Sequence, residues 1–196
     1  MVGNLVVAGI SASPIGVKKL KELGVRDSKK LSAKQREHLY PEILNVADRI
    51  YWTNIPPEEI DAVVLHGKRL RKLNYLEAVY FARVIDHLGV RRVTVDASDV
   101  IPGRFGHDIS RNLEGTCNVF AVHKADRDFP VVSAASIVAK VERDRQVGLL
   151  RRAHGDFGSG YPSDPRTRSF FSAWVKRGDP LPDYARKSWK TWANIG

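Results

Sequence analysis

Short apolar segments that end at turn-forming residues alternate along this chain with segments of helical periodicity. Residues 5–8 are apolar and are followed by Gly9, and residues 118–122 form a second apolar segment. Residues 49–55 are rich in β-branched and aromatic side chains and stop at Pro56, so they predict a strand that cannot continue. Strands that alternate with helices indicate an α/β domain with a mixed sheet.

Three segments carry the signals of helices. Ser32 followed by Gln35 is a capping-box pattern, and the apolar spacing after it predicts a helix over residues 33–47. Apolar residues at i, i+3, i+4 and i+7 predict a second helix that closes at Gly89. Residues 131–153 contain no proline and predict the longest helix, with its first turns buried. The helices are therefore expected to flank the sheet.

The length and the cysteine content limit the class of protein. With 196 residues the chain can bury one sizeable core, so we predict a single domain. We expect a core over about residues 1–150 and a C-terminal helical part over about residues 151–196. Cys117 is the only cysteine, which excludes an intramolecular disulfide. The apolar stretch at 5–10 is shorter than the roughly 20 residues of a membrane span, so we expect a soluble cytoplasmic protein.

The net charge of +10 arises from 32 Lys and Arg residues against 22 Asp and Glu residues. A surplus of this size favours a polyanionic partner, which is either nucleic acid or an acidic membrane surface. Charge by itself does not choose between these two partners.

Two aspartates follow predicted strands, Asp96 at the end of one and Asp126 a few residues after another. Val93 and Val95 alternate with polar residues before Asp96, and Asp126 follows the apolar segment at 118–122. Carboxylates at neighbouring strand ends are how α/β folds assemble a site for a hard cation such as Mg²⁺ or Mn²⁺. The simpler alternative is that each aspartate caps a turn or a helix.

The sequence around these aspartates resembles successive signature blocks of archaeal ribonuclease HII, in family order and over nearly the whole chain. The blocks are VRDSKKL at 25–31, VDASDV at 95–100, HKAD at 123–126, FPVVSAASIVAK at 129–140 and GSGYPSD at 158–164.

This resemblance implies a ribonuclease H-like fold and an endonuclease that hydrolyses the RNA strand of RNA–DNA hybrids. Four acidic residues of such an enzyme bind two divalent ions, and cleavage leaves a 3′-hydroxyl and a 5′-phosphate. Asp96 and Asp126 match two of the four, so both are expected to be catalytic metal ligands for Mg²⁺ or Mn²⁺. The resemblance also implies nicking on the 5′ side of ribonucleotides embedded in duplex DNA.

The family's other two carboxylates belong to an Asp-Glu-Ala-Gly-Arg-Gly block on its first strand, and no such block precedes Val2 here. We therefore expect the central first strand to be missing and this form of the chain to be inactive or impaired. Two explanations are open: a start codon assigned too late or a shortened chain, and a degenerate paralogue. The alternative function is accordingly a non-catalytic nucleic-acid-binding paralogue.

The resemblance also names candidate substrate-binding residues. It implies that Tyr161 packs on the sugar next to the cut and reads the 2′-hydroxyl that distinguishes RNA from DNA. The alternative is that this ring only packs a turn. The candidates for phosphate contacts are Arg26, Ser28, Lys29, Lys30, Ser133, Ser136 and Lys140.

The serines near the start of the long helix and the C-terminal tryptophans each have two possible roles. Ser133 and Ser136 lie near the start of the long helix, where small residues also pack against a sheet, and we expect one of them to bind phosphate. The tryptophans at 174, 189 and 192 are interpreted as anchors of the last helix rather than as platforms for base stacking.

As partners we expect RNA–DNA hybrid, duplex DNA that contains ribonucleotides, and a replication clamp. The implied processes are DNA replication and ribonucleotide excision repair, with the protein acting as a monomer.

Overall fold

The computed structural model describes residues 1–25, 31–67, 72–189 and 192. Its helices and strands, in chain order, are β1 (Leu5–Ser11), α1 (Pro14–Glu22), α2 (Ala33–Val46), β2 (Arg49–Ile55), α3 (Pro57–His66), α4 (Lys72–Leu88), β3 (Arg92–Asp96), α5 (Pro102–Ser110), β4 (Asn118–Val122), α6 (Ala125–Asp128), α7 (Pro130–His154) and α8 (Pro165–Lys176). None of the described helices is both long and apolar enough to cross a lipid bilayer.

The described strands form two separate pairs. Strand β1 pairs with β2, and β3 pairs with β4 in parallel. In the second pair Asp96 lies opposite Val122, so both strands end at the same edge. The expectation that the family's central first strand is missing stays a prediction.

The strongest local patterns in the sequence are confirmed. The predicted strands at 49–55 and 118–122 are β2 and β4, and the longest described helix is α7. Ser32 and Gln35 form both hydrogen bonds of a capping box at the start of α2, with the Gln35 N–H donating to Ser32 Oγ at 3.2 Å. Local sequence therefore determines these elements.

Helices α1, α3 and α5 were not predicted, and α8 was predicted only as part of a C-terminal helical segment, but these four share one feature. Each begins with a proline at its first position, at residues 14, 57, 102 and 165. Proline suits this position because the first N–H groups of a helix have no partner inside the helix. A search for proline as a start signal, rather than as a helix breaker, would have found all four.

The chain divides into two compact units, and one of them consists of Val6–Thr53 and Leu73–Val141. One core of this unit packs the buried Ile137 and Val138 of α7 against Ile10 of β1 and Ile43 of α2. Another core gathers Phe105 and Ile109 of α5 with Val95 of β3 and with Ala82 and Ile85 of α4. The second core contains residues of both β3 and β4 and holds these strands against α4 and α5.

The other unit consists of Met1–Leu5, Asn54–Lys72 and Glu142–Gly196. Its core contains the buried Val2, Phe157, Phe171 and Trp192. The carboxylate of Asp61 accepts hydrogen bonds from two consecutive backbone N–H groups, at 187 and 188. The C-terminal segment is thus tied to α3, and the single domain over residues 1–196 stays a prediction.

Replacing Ile137 by alanine tests the core around α7. Ile137 is fully buried, so Ile137→Ala should lower the free energy of unfolding by about 3 kcal/mol, measured by chemical denaturation. Leu149 lies on the same helix but is 58% exposed, and Leu149→Ala is the matched control, with an expected change below about 1 kcal/mol. Equal losses in the two variants would contradict the packing described here.

Candidate functional site

The end of β3 and the segment after β4 are joined by one hydrogen bond. Oδ1 of Asp96, the last residue of β3, accepts the backbone N–H of Ala125 at 3.1 Å. Asp126 follows Ala125 directly in the first turn of α6, and only 3% of its surface is exposed. The two aspartates singled out in the sequence therefore lie on adjoining segments at one edge of the β3–β4 pair.

The turn from β4 into α6 requires an unusual backbone conformation. Lys124 has φ 57° and ψ 33°, which lie in the left-handed region of backbone conformation. A residue other than glycine adopts this conformation at a cost of about 1 kcal/mol. The preceding residue, His123, holds this turn to the opposite loop, because its Nε2 lies 3.1 Å from the carbonyl oxygen of Val100. The turn directs the chain into α6, which brings Ala125 to the Asp96 carboxylate.

Asp99 is a further acidic residue of the VDASDV block, and its place in the sequence did not predict a role for it. Its buried carboxylate accepts the Ile101 N–H at 2.9 Å and the Arg104 Nε–H at 3.0 Å, and Nη2 of Arg104 donates to it as well. These contacts fix the loop between Asp96 and α5. The signal that could have found it is an Asp three residues before a helix that begins at proline.

The two serines at the start of α7 differ in their surroundings. Ser133 is fully buried, and its Oγ makes no hydrogen bond to any residue that the structure describes. Ser136 is half-buried, and its Oγ accepts a hydrogen bond from Nζ of Lys140 at 2.7 Å. Ser136 and Lys140 therefore form a polar pair with access to solvent, whereas Ser133 packs in the interior.

Asp96 and Asp126 offer carboxylate ligands, which suit a divalent cation. Carboxylate oxygens are the hard ligands that Mg²⁺ and Mn²⁺ prefer. Oδ2 of Asp96 makes no hydrogen bond or ion pair within the described residues, so it can face a cation while Oδ1 holds the Ala125 N–H. No group of three or more His, Cys, Asp or Glu side chains in the described part of the chain could hold a metal ion.

The loop that carries Tyr161 belongs to the unit that contains residues 142–196. Hydrogen bonds to its backbone hold this loop in place. Gly160 N–H donates to Oγ1 of Thr167 at 3.0 Å, and this hydroxyl donates to the carbonyl oxygen of Phe157 at 2.7 Å. Ser159 N–H donates to Oδ2 of Asp164 at 2.7 Å. The loop is therefore a fixed platform, with Tyr161 at its surface and 37% exposed.

Asp164 closes this loop and caps α8. Hydrogen bonds from the backbone and the side chain of Ser159 and from the backbone of Arg166 lower the pKa of Asp164 from 3.8 to about 2. These hydrogen bonds favour the ionised carboxylate, so the loop keeps its arrangement above the ordinary pKa of an aspartate. The arrangement is lost as pH falls towards the lowered value.

The remaining sequence predictions concern phosphate contacts and tryptophan anchors. The phosphate-contact candidates Arg26, Ser28, Lys29 and Lys30 lie outside the described residues. Trp192 is buried, and its Nε1–H donates to the carbonyl oxygen of Arg186 at 2.6 Å, which agrees with its interpretation as an anchor.

The comparison with known sequences gives one consistent result. The sequence profile described as Ribonuclease HII matches residues 1–192. A ribonuclease HII from Cenarchaeum symbiosum is 47% identical over 190 residues, which cover 97% of this chain and 89% of that relative. Another from Thermococcus kodakarensis is 43% identical, with coverage of 100% of this chain and 84% of the relative.

Solved structures agree in fold. The ribonuclease H2 from Pyrococcus horikoshii is 37% identical with a TM-score of 0.85, and 99% of this chain and 90% of that chain are covered. A chain of the PCNA:RNase HII complex from Archaeoglobus fulgidus is 40% identical with a TM-score of 0.87 and the same coverage. A Bst-RNase HIII crystallised with Mn²⁺ is 18% identical with a TM-score of 0.78, and this likeness concerns the fold alone.

The fold is thus the α/β fold of the ribonuclease H-like nucleases, with a parallel strand pair of which β3 ends at Asp96 and β4 leads into the short helix that carries Asp126. The chain belongs to the ribonuclease HII family. The activity of this family is the endonucleolytic hydrolysis of RNA in RNA–DNA hybrids, and it depends on divalent metal ions.

The lowered pKa of Asp164 can be measured directly. In a pH titration followed by NMR, the amide proton of Ser159 should shift with a midpoint near pH 2, because this N–H donates to the Asp164 carboxylate. In Asp164→Asn this shift should be absent. A midpoint at or above pH 3.8 would show that the hydrogen bonds do not favour the ionised carboxylate.

Proposed function

We propose that this protein cuts the RNA strand of RNA–DNA hybrids with two divalent ions and that Asp96 and Asp126 are ligands of these ions. The same centre would nick duplex DNA on the 5′ side of an embedded ribonucleotide. The hydrogen bond from Ala125 to Asp96 carries the proposal, because it holds the segments with the two carboxylates together at one edge of parallel strands.

The protein's own part in this chemistry is to position charge. When bound, divalent ions lower the pKa of a bound water and neutralise the charge that develops on the departing 3′-oxygen. Asp96 is held by the Ala125 N–H, and Asp126 is held in the first turn of a short helix. Carboxylates fixed in this way lose little freedom when a cation binds, which is the requirement for a precise metal site.

The difference in burial between the two serines of α7 supports a phosphate contact by the Ser136–Lys140 pair. A hydroxyl and an ammonium group 2.7 Å apart offer both a hydrogen-bond donor and a positive charge to a phosphate oxygen. Ser133 cannot reach a phosphate without leaving the interior, since it is fully buried. Of the two serines, we therefore assign the contact to Ser136.

Tyr161 is proposed to recognise the ribose. Its ring is partly exposed on a loop whose backbone is fixed by Thr167 and Asp164, so the ring can present a face to a sugar at little entropic cost. A hydroxyl at the end of that ring can hydrogen-bond the 2′-hydroxyl, which only RNA carries. The observation that supports this role is the rigidity of the loop together with the exposure of the ring.

A replication clamp is a proposed partner. The relative from Archaeoglobus fulgidus was solved as a complex with PCNA and is 40% identical to this chain. Mixing this protein with an archaeal clamp in analytical ultracentrifugation tests the proposal, and unchanged sedimentation of both components would contradict it.

A non-catalytic nucleic-acid-binding paralogue is the second candidate, and the net charge of +10 favours it. Such a protein would bind hybrid with an affinity that falls steeply as salt rises, but it would not nick in the presence of metal. The deciding assay uses labelled hybrid with Mn²⁺ and two forms of the chain, one as given and one preceded by Asp-Glu-Ala-Gly-Arg-Gly. Binding without cleavage by both forms would favour the paralogue over the nuclease.

Neutralising the carboxylates tests their role as ligands. In whichever form cleaves hybrid, Asp96→Asn and Asp126→Asn should each lower kcat by roughly a hundredfold or more, because an amide contributes no charge to the metal site. Asp128→Asn is the matched control, since Asp128 lies on the same helix but is exposed, and its rate should stay within about twofold. Calorimetric titration with Mn²⁺ should show weakened binding in the first two variants only, and unchanged binding there would refute the assignment.

The choice between the two serines is tested by a pair of alanine variants. Ser136→Ala should weaken hybrid binding by about threefold to tenfold and reduce its salt dependence, because the hydroxyl no longer orients Lys140 towards phosphate. Ser133→Ala should leave binding unchanged, because the hydroxyl is buried. Fluorescence anisotropy at several salt concentrations measures both effects, and the opposite pattern would reassign the contact to Ser133.

A further inference from the structure

Arg143 on α7 is a buried cation to which neither the metal site nor the phosphate contact assigns a role. It is almost fully buried, and its Nη1–H donates to Oδ1 of Asp144 at 3.0 Å. Its Nη2 is also buried and has no hydrogen-bond partner among the residues that the structure describes. A buried donor without a partner lowers stability, so its presence calls for an explanation beyond packing.

The guanidinium of Arg143 lies against the ring of Tyr161. Cζ of Arg143 lies over the ring at 3.8 Å from its centroid, which is close to van der Waals contact. A guanidinium at this distance is attracted by the negative face of the ring and covers it. The exposed part of the Tyr161 side chain is consequently the part that faces away from Arg143.

Gly160 allows this approach. Its φ is +74°, and a Cβ built at this position would lie 3.1 Å from Nη2 of Arg143 and 3.1 Å from Cβ of Val2. A side chain here would push the guanidinium away from the loop. The loop is therefore shaped around the arginine, and the stack is not a chance contact of two flexible side chains.

We infer that Arg143 is a positioning residue for ribose recognition, and this inference rests on the proposed function. The guanidinium fixes the plane of the Tyr161 ring, so that its open face and its hydroxyl meet the sugar in one orientation. A free tyrosine ring would have to lose rotational freedom when substrate binds, which would reduce the preference for RNA. Asp144 in turn holds the guanidinium through Nη1.

The competing explanation is that Arg143 serves only the stability of its unit through the ion pair with Asp144. Under that explanation, replacing Arg143 would lower stability without changing how the protein distinguishes RNA from DNA. Arginine and lysine separate the two roles, since lysine keeps the charge but cannot stack as a plane. The informative variants are therefore Arg143→Lys and Arg143→Gln, with Arg145→Gln as control because Arg145 is an exposed arginine of the same helix.

The order of the ring can be measured without substrate or activity. The chain has six tyrosines, so replacing them with 3-fluorotyrosine gives few ¹⁹F signals, and Tyr161→Phe identifies the one of interest. In the unchanged protein this signal should be shifted by the nearby cation. In Arg143→Gln it should move towards the value of free fluorotyrosine, in Arg143→Lys it should move part of the way, and in Arg145→Gln it should not move.

The effect on recognition is measured as the ratio of affinities for two duplexes that differ by one 2′-hydroxyl, in fluorescence anisotropy. This ratio should fall by roughly threefold to thirtyfold in Arg143→Gln, the range expected when a cation–π contact is lost. It should fall by a smaller factor in Arg143→Lys. When Tyr161→Ala is already present, Arg143→Gln should cause no further fall, because the arginine acts through the ring.

The outcomes separate the two ideas. If the unchanged protein, tested in both forms of the chain, neither cleaves hybrid nor prefers the ribonucleotide duplex, the proposed function fails, and with it the role in recognition. If the protein shows that preference but Arg143→Gln leaves the ratio and the ¹⁹F signal unchanged, the positioning role is overturned. If Arg143→Gln does not fold, the lysine variant decides in the same way.

Discussion

The hydrogen bond from the Ala125 N–H to Asp96 is the contact on which the proposed metal site depends. It forms because β3 and β4 are parallel and end at the same edge, and because Lys124 adopts a left-handed conformation that turns the chain into α6. Without this turn the chain would leave the sheet in another direction, and Asp126 would not follow Ala125 to the Asp96 carboxylate. The left-handed conformation of Lys124 costs little free energy, and it fixes the positions of the Asp96 and Asp126 carboxylates.

The loop around Tyr161 follows a similar principle, in which buried polar groups fix a surface residue. Thr167 and Asp164 bind the loop backbone, and Arg143 covers one face of the ring. Thr167 and Arg143 lose hydration on burial, and the hydrogen bonds offset this loss only in part, since Nη2 of Arg143 has no partner among the described residues. Retaining such groups makes physical sense if the orientation of the ring matters for binding.

Features that depend on residues close in sequence were predicted, whereas features that depend on contacts between distant residues were not. The capping box at Ser32 and the strand that ends at Pro56 were found because each depends on neighbours within a few residues. Helices α1, α3 and α5 begin with proline and were missed because proline was interpreted only as a terminator, whereas α7 also begins with proline but was found from its long apolar pattern. Asp99 and Arg143 were missed for a different reason, since their roles arise from contacts that a local pattern does not reveal.

The sequence by itself determined the family, the strand and helix signals, and the presence of Asp96, Asp126 and Tyr161 in their blocks. The tertiary structure alone decided that Ser136 is accessible while Ser133 is buried, although both lie in the first turns of α7. It also decided that a guanidinium from α7 stacks on a ring that stands 18 residues further along the chain. The physical reason is that burial and stacking depend on which surfaces meet after folding, and sequence spacing does not specify those surfaces.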